Sequence, residues 1–234
     1  MPEHRFVYVG DDAAFPYGDW EENALVDRML GVFDELIDQY SPSMIIVACN
    51  TASTIILPHL RNRISIPVVG TVPAIKPAAE RTSSGQVSVL ATPGTVQRDY
   101  TRDLISQFAR TVNVRLVGSE SLAPIAEQYM TAGKVDEAAV AREIEECFVD
   151  RLGARTDVVV LACTHYPFLA DVFRRLAPWP VDWLNPAEAI ARHAKTLLPD
   201  ADRVQEVQDI ARFTAGRPRP ELLRFLSGFG LQVV

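Results

Sequence analysis

The sequence predicts an α/β protein of two similar domains, each with a mostly parallel sheet flanked by helices, and an active site in the cleft between them. Three observations carry that expectation. Ser43-Met44-Ile45-Ile46-Val47-Ala48-Cys49 and Asp157-Val158-Val159-Val160-Leu161-Ala162-Cys163 are apolar runs that both stop at Ala-Cys, the pattern of buried strands. The two cysteines stand 114 residues apart, about half of the 234-residue chain, so one local design serves two comparable halves. Strand-like runs alternate with helical ones throughout, which implies crossover connections and parallel pairing. Ligands of such sheets bind outside the carboxyl ends of the strands, where both thiols are expected.

Taken in order, Arg5 to Gly10 reads as a short strand, and Phe15-Pro16-Tyr17-Gly18 as a loop. Asp19, with Glu22 three residues on, forms a capping box for a helix to Tyr40, whose apolar stripe is Leu25, Met29, Val32, Phe33, Leu36 and Ile37. After the Cys49 strand, Ser53 starts a helix to Leu60, and Ile66 to Gly70 is a strand. Thr71 to Pro77, with two prolines, marks a crossing between domains, and Ala78 to Arg81 is helical. Gln86 to Ala91 is a strand ending in Thr92-Pro93-Gly94-Thr95, a polar turn of the kind that holds anions. Helices are expected over Tyr100–Ala109, Leu122–Ala132, Val135–Leu152, Pro167–Leu176 and Pro186–Leu198, and strands over Asn113–Val117 and Val181–Leu184. The tail holds Val207 to Phe213, with a strand at Arg212-Phe213-Thr214, and a helix from Pro220 to Leu226. The expected division is residues 1–72 plus 183–234 as a first, discontinuous domain carrying Cys49, and 73–182 as a second carrying Cys163.

Composition narrows the function. With 48% hydrophobic and 23% charged residues the chain suits a globular fold, and a net charge of −7 gives no footprint for nucleic acid or anionic membrane. No signal-peptide pattern and no bilayer-length apolar run is present, so a cytoplasmic location is expected. Three cysteines do not make a disulfide framework. No Cys-x-x-Cys or His-x-x-x-His cluster points to a metal, no Walker or Gly-x-Gly-x-x-Gly turn points to a nucleotide, and nothing in the sequence demands a cofactor.

A lone cysteine closing an apolar strand is ordinarily a small buried hydrophobe. Recurrence in matching settings turns Cys49 and Cys163 into candidates for chemistry. Cys147, beside Phe148 in a helical pattern, reads as core; His59 and His193 lie in helical patterns, and only His165 stands near a thiol. A single Cys with a His would suit acyl transfer, but a second thiol has no role in that scheme. Inversion at a carbon α to a carboxylate needs two opposed acid/base groups, one removing the proton and the other delivering one to the opposite face. The carbanion then needs donors and exclusion of water, for which Asn50, Thr51, Thr92, Thr164 and loop amides are suited.

Ala48-Cys49-Asn50-Thr51-Ala52-Ser53 and Ala162-Cys163-Thr164-His165-Tyr166-Pro167 resemble the paired signatures of the glutamate racemases, within the aspartate/glutamate racemase superfamily. Gly10-Asp11 with Pro16-Tyr17-Gly18 resembles their early substrate loop. The resemblance runs from about Phe6 to the end of the chain. It implies a cofactor-independent enzyme interconverting L- and D-glutamate for peptidoglycan, and a homodimer. It makes Cys49 the base for the D-isomer and Cys163 the base for the L-isomer, with Tyr17, Gly18, Asn50, Thr51, Thr164 and His165 holding substrate. The alternatives are a racemase of aspartate or another amino acid, and a binding protein that keeps the fold. In one respect the sequence departs from the family, which usually opens with a further strand ending in Asp-Ser-Gly; no Asp-Ser pair occurs here. The expectation from that departure is a native start further upstream, or a form with weak activity and reduced stability.

Overall fold

A computed structural model describes residues 4–17, 20–198 and 208–234. Eleven strands and ten α-helices alternate along these residues. In the first half β1 (Val7–Gly10), α1 (Glu22–Tyr40), β2 (Ile45–Val47), α2 (Asn50–Arg63) and β3 (Val68–Gly70) follow one another. The second half runs α3 (Ile75–Arg81), β4 (Gln86–Ala91), α4 (Pro93–Val96), α5 (Asp99–Phe108), β5 (Asn113–Gly118), α6 (Leu122–Ala132) and α7 (Glu137–Ile144). It continues through β6 (Asp150–Arg151), β7 (Ala154–Arg155), β8 (Val158–Ala162), α8 (Ala170–Leu176) and β9 (Asp182–Leu184). The chain closes with α9 (Ala187–Leu197), β10 (Ile210–Phe213), α10 (Pro220–Ser227) and β11 (Gln232–Val233).

The expected α/β class with parallel sheets holds. One sheet has the order β5-β4-β8-β9, a second β1-β10-β11 and a third β2-β3, all parallel; β6 and β7 form an antiparallel hairpin. β4 and β8 are buried along their whole lengths because helices cover both faces. On one face Val87, Val89, Val158 and Val160 pack with Ile75 and Ala78 of α3 and Leu104 and Ile105 of α5. On the other, Leu90, Val159 and Leu161 meet α6, α7 and α8 through Leu122, Ala126, Val140, Ile144, Val172 and Phe173. The first half builds a separate core from Leu25, Val26 and Met29 of α1, Ile45 and Val47 of β2, and Ile55, Ile56 and Leu60 of α2. Gly70 lets α2 pack closely here, since a Cβ there would lie 2.2 Å from the Leu57 Cδ1 and force that side chain to shift.

Several expectations are corrected. The Cys49 strand is buried on one face only: Ile46 is 41% exposed while Ile45 and Val47 are buried, and β2 pairs with β3 alone among the described residues. α2 begins at Asn50 rather than Ser53 and runs past Pro58 to Arg63, because Cys49 itself takes the N-cap position. α3 begins at Ile75, inside the stretch expected to be a crossing. Thr92-Pro93-Gly94-Thr95 is not an open turn but the start of α4, with proline at the first position, where a missing N–H costs nothing.

The helix expected over Val135–Leu152 ends at Ile144 and passes through a 3-10 turn at Glu145–Cys147 into the β6–β7 hairpin. Three contacts account for the break. Ser88 Oγ donates to the Cys147 carbonyl at 2.7 Å, Phe148 packs edge-on against Trp179 and Trp183, and Leu152 and Gly153 take φ values of 55° and 89°, suited to a tight two-residue hairpin loop. Cys147 is buried as expected, but in that 3-10 turn. The proposed Asp19 cap and the Val207 end of the tail segment lie outside the described residues; α1 starts after Glu21, which makes no side-chain cap bond. No helix among the described residues is long and apolar enough to cross a membrane.

Candidate active site

Both cysteines stand one or two residues beyond the carboxyl end of a parallel strand, Cys49 after β2 and Cys163 after β8. Their surroundings differ. Cys49 caps α2: its Sγ accepts the Ala52 N–H at 3.5 Å, placing the sulfur at the positive end of a 14-residue helix. Cys163 is followed by a short 3-10 turn, and its Sγ lies 3.9 Å from His165 Nδ1. His165 Nε2 in turn lies 2.8 Å from the Glu127 carboxylate of α6.

The two strand ends meet. Thr164 Oγ1 donates to the Ala48 carbonyl at 3.2 Å, tying the residue after one thiol to the residue before the other. Thr51, in the first turn of α2, places its hydroxyl 2.8 Å from Thr92 and 3.2 Å from Thr95, which are 3.2 Å from each other, so three hydroxyls from two halves of the chain form a triangle. The Phe15 ring approaches His165 at 5.9 Å between centroids, bringing the loop after β1 to the Cys163 side.

Burial raises the pKa of both thiols. At Cys49 desolvation is partly offset by hydrogen bonds from the Ala52 and Thr51 amides and the Thr51 side chain. Cys163 is pushed up to about 12 by burial; negative charge at Cys49 adds to the rise, while the His165 and Tyr166 amides oppose it. With the cleft empty and neutral, both sulfurs therefore hold their protons near neutral pH.

The Tyr17 hydroxyl donates to Asp11 at 2.7 Å, and burial, that carboxylate and the nearby Cys49 sulfur raise its pKa. Asp11 also accepts from Arg28 and, at 2.6 Å, from Thr214, which ties the ends of β1 and β10 to α1. Burial alone would raise the Asp11 pKa, but these hydrogen bonds, Arg28 first, hold it below the usual carboxylate range. Asn50 is 2% exposed and neither end of its side-chain amide has a hydrogen-bond partner, which leaves a donor and an acceptor for a bound group beside Cys49.

Of the residues singled out from sequence, Cys49, Asn50, Thr51, Cys163, Thr164 and His165 lie at these two strand ends and Thr92 at the carboxyl end of β4; Tyr17 is bonded to Asp11 and lies near Cys49; Gly18 lies outside the described residues. Sequence reasoning missed Thr95, Glu127, Asp11 and Arg28 in these roles. Glu127 is 38 residues from its partner His165, a spacing that carries no local signal. Among the described residues no group of three or more His, Cys, Asp or Glu side chains is arranged to hold a metal ion.

Comparison with known proteins agrees with this geometry. The profile of the family described as Asp/Glu/Hydantoin racemase matches residues 2–194. The chain is 59% identical to the glutamate racemase of Brucella canis, covering 99% of this chain and 85% of that protein. It is equally similar, at 59%, to the glutamate racemase of Mesorhizobium japonicum, covering all of this chain and 90% of that one. Its fold superposes on the crystal structure of Escherichia coli glutamate racemase, in complex with L-glutamate and the activator UDP-MurNAc-ala, with a TM-score of 0.90 at 36% identity over 99% of this chain and 88% of that one. On a family profile that covers most of its length and relatives this similar from end to end, the chain belongs to the Asp/Glu/Hydantoin racemase family, among the glutamate racemases.

Proposed function

We propose that this isomerase interconverts L- and D-glutamate by two-base proton transfer at Cα, with Cys163 serving the L-isomer and Cys49 the D-isomer. The observation that carries the mechanism is the meeting of the two thiol-bearing strand ends through the Thr164–Ala48 hydrogen bond. In the L-to-D direction the Cys163 thiolate takes the α-proton and becomes a thiol. The Cys49 thiol delivers its proton to the opposite face of the planar carbanion and is left as thiolate. The reverse direction exchanges the roles, so each turnover moves the thiolate from one side of the cleft to the other.

The raised thiol pKa values make the free cleft a poor base, and the substrate corrects this itself. Its α-ammonium brings a positive charge beside the sulfurs, which favours thiolate. Thr51, Thr92 and the Asn50 amide are the donors for the carboxylate on which the carbanion's charge spreads, while Thr164 holds the two strand ends together. His165, backed by Glu127, steadies the Cys163 side, and Tyr17 borders the substrate from the loop after β1. No step calls for a cofactor.

The division into residues 1–72 plus 183–234 and 73–182 belongs to the same proposal. It is supported by the separate sheets and cores, with β9 straddling its second boundary. So do a role in supplying D-glutamate for peptidoglycan, a cytoplasmic location and a homodimer. For the last, the exposed Phe168 and Phe229 flank the half-buried Phe225 with ring centroids 5.7 and 5.1 Å from it, an apolar surface for a second copy to cover.

The test is deuterium incorporation at Cα of each glutamate enantiomer in D₂O. Exchange with both, accompanied by loss of optical activity, is expected. A folded protein with free Cys49 and Cys163 that exchanges neither enantiomer overturns the reading.

A further inference from the structure

At the end of the four-stranded sheet away from the thiols, the amino ends of β4 and β5 open on a cleft of about 420 Å³ bordered by the β6–β7 hairpin. Its lining includes Gln86, Asn113, Arg115, Val149, Arg151 and Thr156. Register sets Gln86 opposite Asn113 and Ser88 opposite Arg115, so these side chains share one sheet face. That face looks toward residues 145–156, because the Ser88 hydroxyl reaches the Cys147 carbonyl.

Two features of the cleft point to a ligand. Gln86 is only 7% exposed, and its recorded bonds outside the strand ladder run through the main chain: its N–H donates to Ser84 Oγ at 3.1 Å and its carbonyl accepts from the Asp157 N–H at 3.3 Å. The side-chain amide has no partner among the described residues. Its amide atoms are not sealed from solvent but lie open to the cleft, where a bound molecule can meet them. The charges are the second feature. Arg115 pairs with Glu146, and Arg155, stacked 5.1 Å over Trp179, pairs with Asp150 at 2.9 Å. Arg151 has no ion pair among the described residues, so the cleft mouth is positive on a chain whose net charge is −7.

We propose that this cleft is a second, non-catalytic site for a small organic anion. A carboxylate or phosphate lies on Arg151 and Arg115, and the polar edge of the same molecule meets the Gln86 and Asn113 amides. The volume falls within the range of ligand pockets, which begins at about 300 Å³. The six residues of β4 span roughly 20 Å, so the occupant lies far from the thiols and acts on the enzyme only from a distance.

Citrate and inorganic phosphate are the probes, titrated separately into the isotope-labelled full chain in equimolar D- and L-glutamate, which fills the catalytic cleft at reaction equilibrium. The readout is the side-chain amide resonances of Gln86 and Asn113. Saturable shifts of both are expected, with apparent affinity reduced at least about fivefold in Arg151→Ala, a surface change that leaves racemisation intact. Arg115→Ala gives a second, independent loss. Response to citrate alone identifies a carboxylate ligand, and response to phosphate alone a phosphorylated one; both uphold the site. No shift at either amide up to about 10 mM probe, or shifts unchanged in both arginine variants, overturns it. Because these resonances are remote from Cys49 and Cys163, the result is independent of the racemase mechanism.

Discussion

The two cysteine ends look alike in sequence and differ in structure. β8 lies inside a four-stranded sheet with neighbours on both sides, and its thiol is buried beside an imidazole–carboxylate pair. β2 has one strand neighbour among the described residues, shows one face to solvent, and gives its thiol to the first turn of a helix. One sulfur is governed by a helix terminus, the other by side chains 38 residues apart in sequence. On the proposed mechanism, two acid/base groups with equivalent roles do not need equivalent surroundings; each environment has only to tune its own thiol.

The largest effect expected is on the thiols themselves. Cys49→Ser and Cys163→Ser should each lower racemisation by at least about 10³-fold in a polarimetric assay, since a hydroxyl is a far weaker acid than a thiol, while substrate binding measured by calorimetry falls much less. Cys147→Ser, at a site buried within the second-half core, should leave the rate nearly unchanged. Equal losses in all three would break the pairing of Cys49 with Cys163.

Glu127→Gln sharpens the comparison by touching one side only. It keeps the hydrogen bond to His165 but removes the charge, and should cost about 10- to 100-fold in kcat. Enantiomers have equal free energies in solution, so kcat/KM must stay equal in the two directions for every variant. An asymmetric role for the His165–Glu127 pair can therefore show only as kcat and KM differing between the two directions by the same factor. Identical parameters in both directions would sink the one-sided role.

pH offers a third contrast. The proposed mechanism needs one thiolate, and both thiols are raised by burial, Cys163 to about 12. The thiolate fraction grows as pH rises toward the pKa, so kcat/KM should climb by about tenfold per pH unit between roughly pH 7 and 9. A flat profile over that range would mean that a thiolate already exists in the free enzyme.

The smallest effect is on stability. Asp11 anchors β1, α1 and β10 through Arg28, Tyr17 and Thr214, and Asp11→Asn should cost about 1–2 kcal/mol at neutral pH, read as a lower melting temperature. Its folded pKa is depressed, so the wild-type advantage is present above the ordinary aspartate range and disappears as pH falls through the folded value. A difference that persists undiminished in strong acid would show that charge is not its source.

Much of this was readable in the chain. Parallel strands buried on both faces announce themselves as unbroken apolar runs, which is why Val158 to Ala162 and Gln86 to Ala91 stand out. Helix α6 was legible to the residue, ending where Gly133 takes a left-handed φ of 66°. What escaped depends on contacts distant in sequence. A helix over Val135–Leu152 satisfies periodicity but not Ser88, Trp179 and Trp183, which bend the chain away after Ile144. Asn50 and Thr51 read as loop because cysteine is not an expected helix cap, and the helix continues beyond the expected Leu60 to Arg63. The Glu127–His165 and Asp11–Arg28 pairs have no sequence signature at all, since each is made by packing one element against another.

The hydroxyl triangle of Thr51, Thr92 and Thr95 bears on a problem peculiar to a catalyst that must accept both members of a mirror-image pair. A rigid array of fixed donors matches one hand and misfits the other. A threonine hydroxyl carries a single hydrogen that swings about its C–O bond, so each of the three can donate or accept without moving a heavy atom. On the proposed reading, the polarity of the substrate cradle is set afresh by whichever hand arrives. Ambidexterity then lies in the positions of three protons rather than in a rearrangement of the fold.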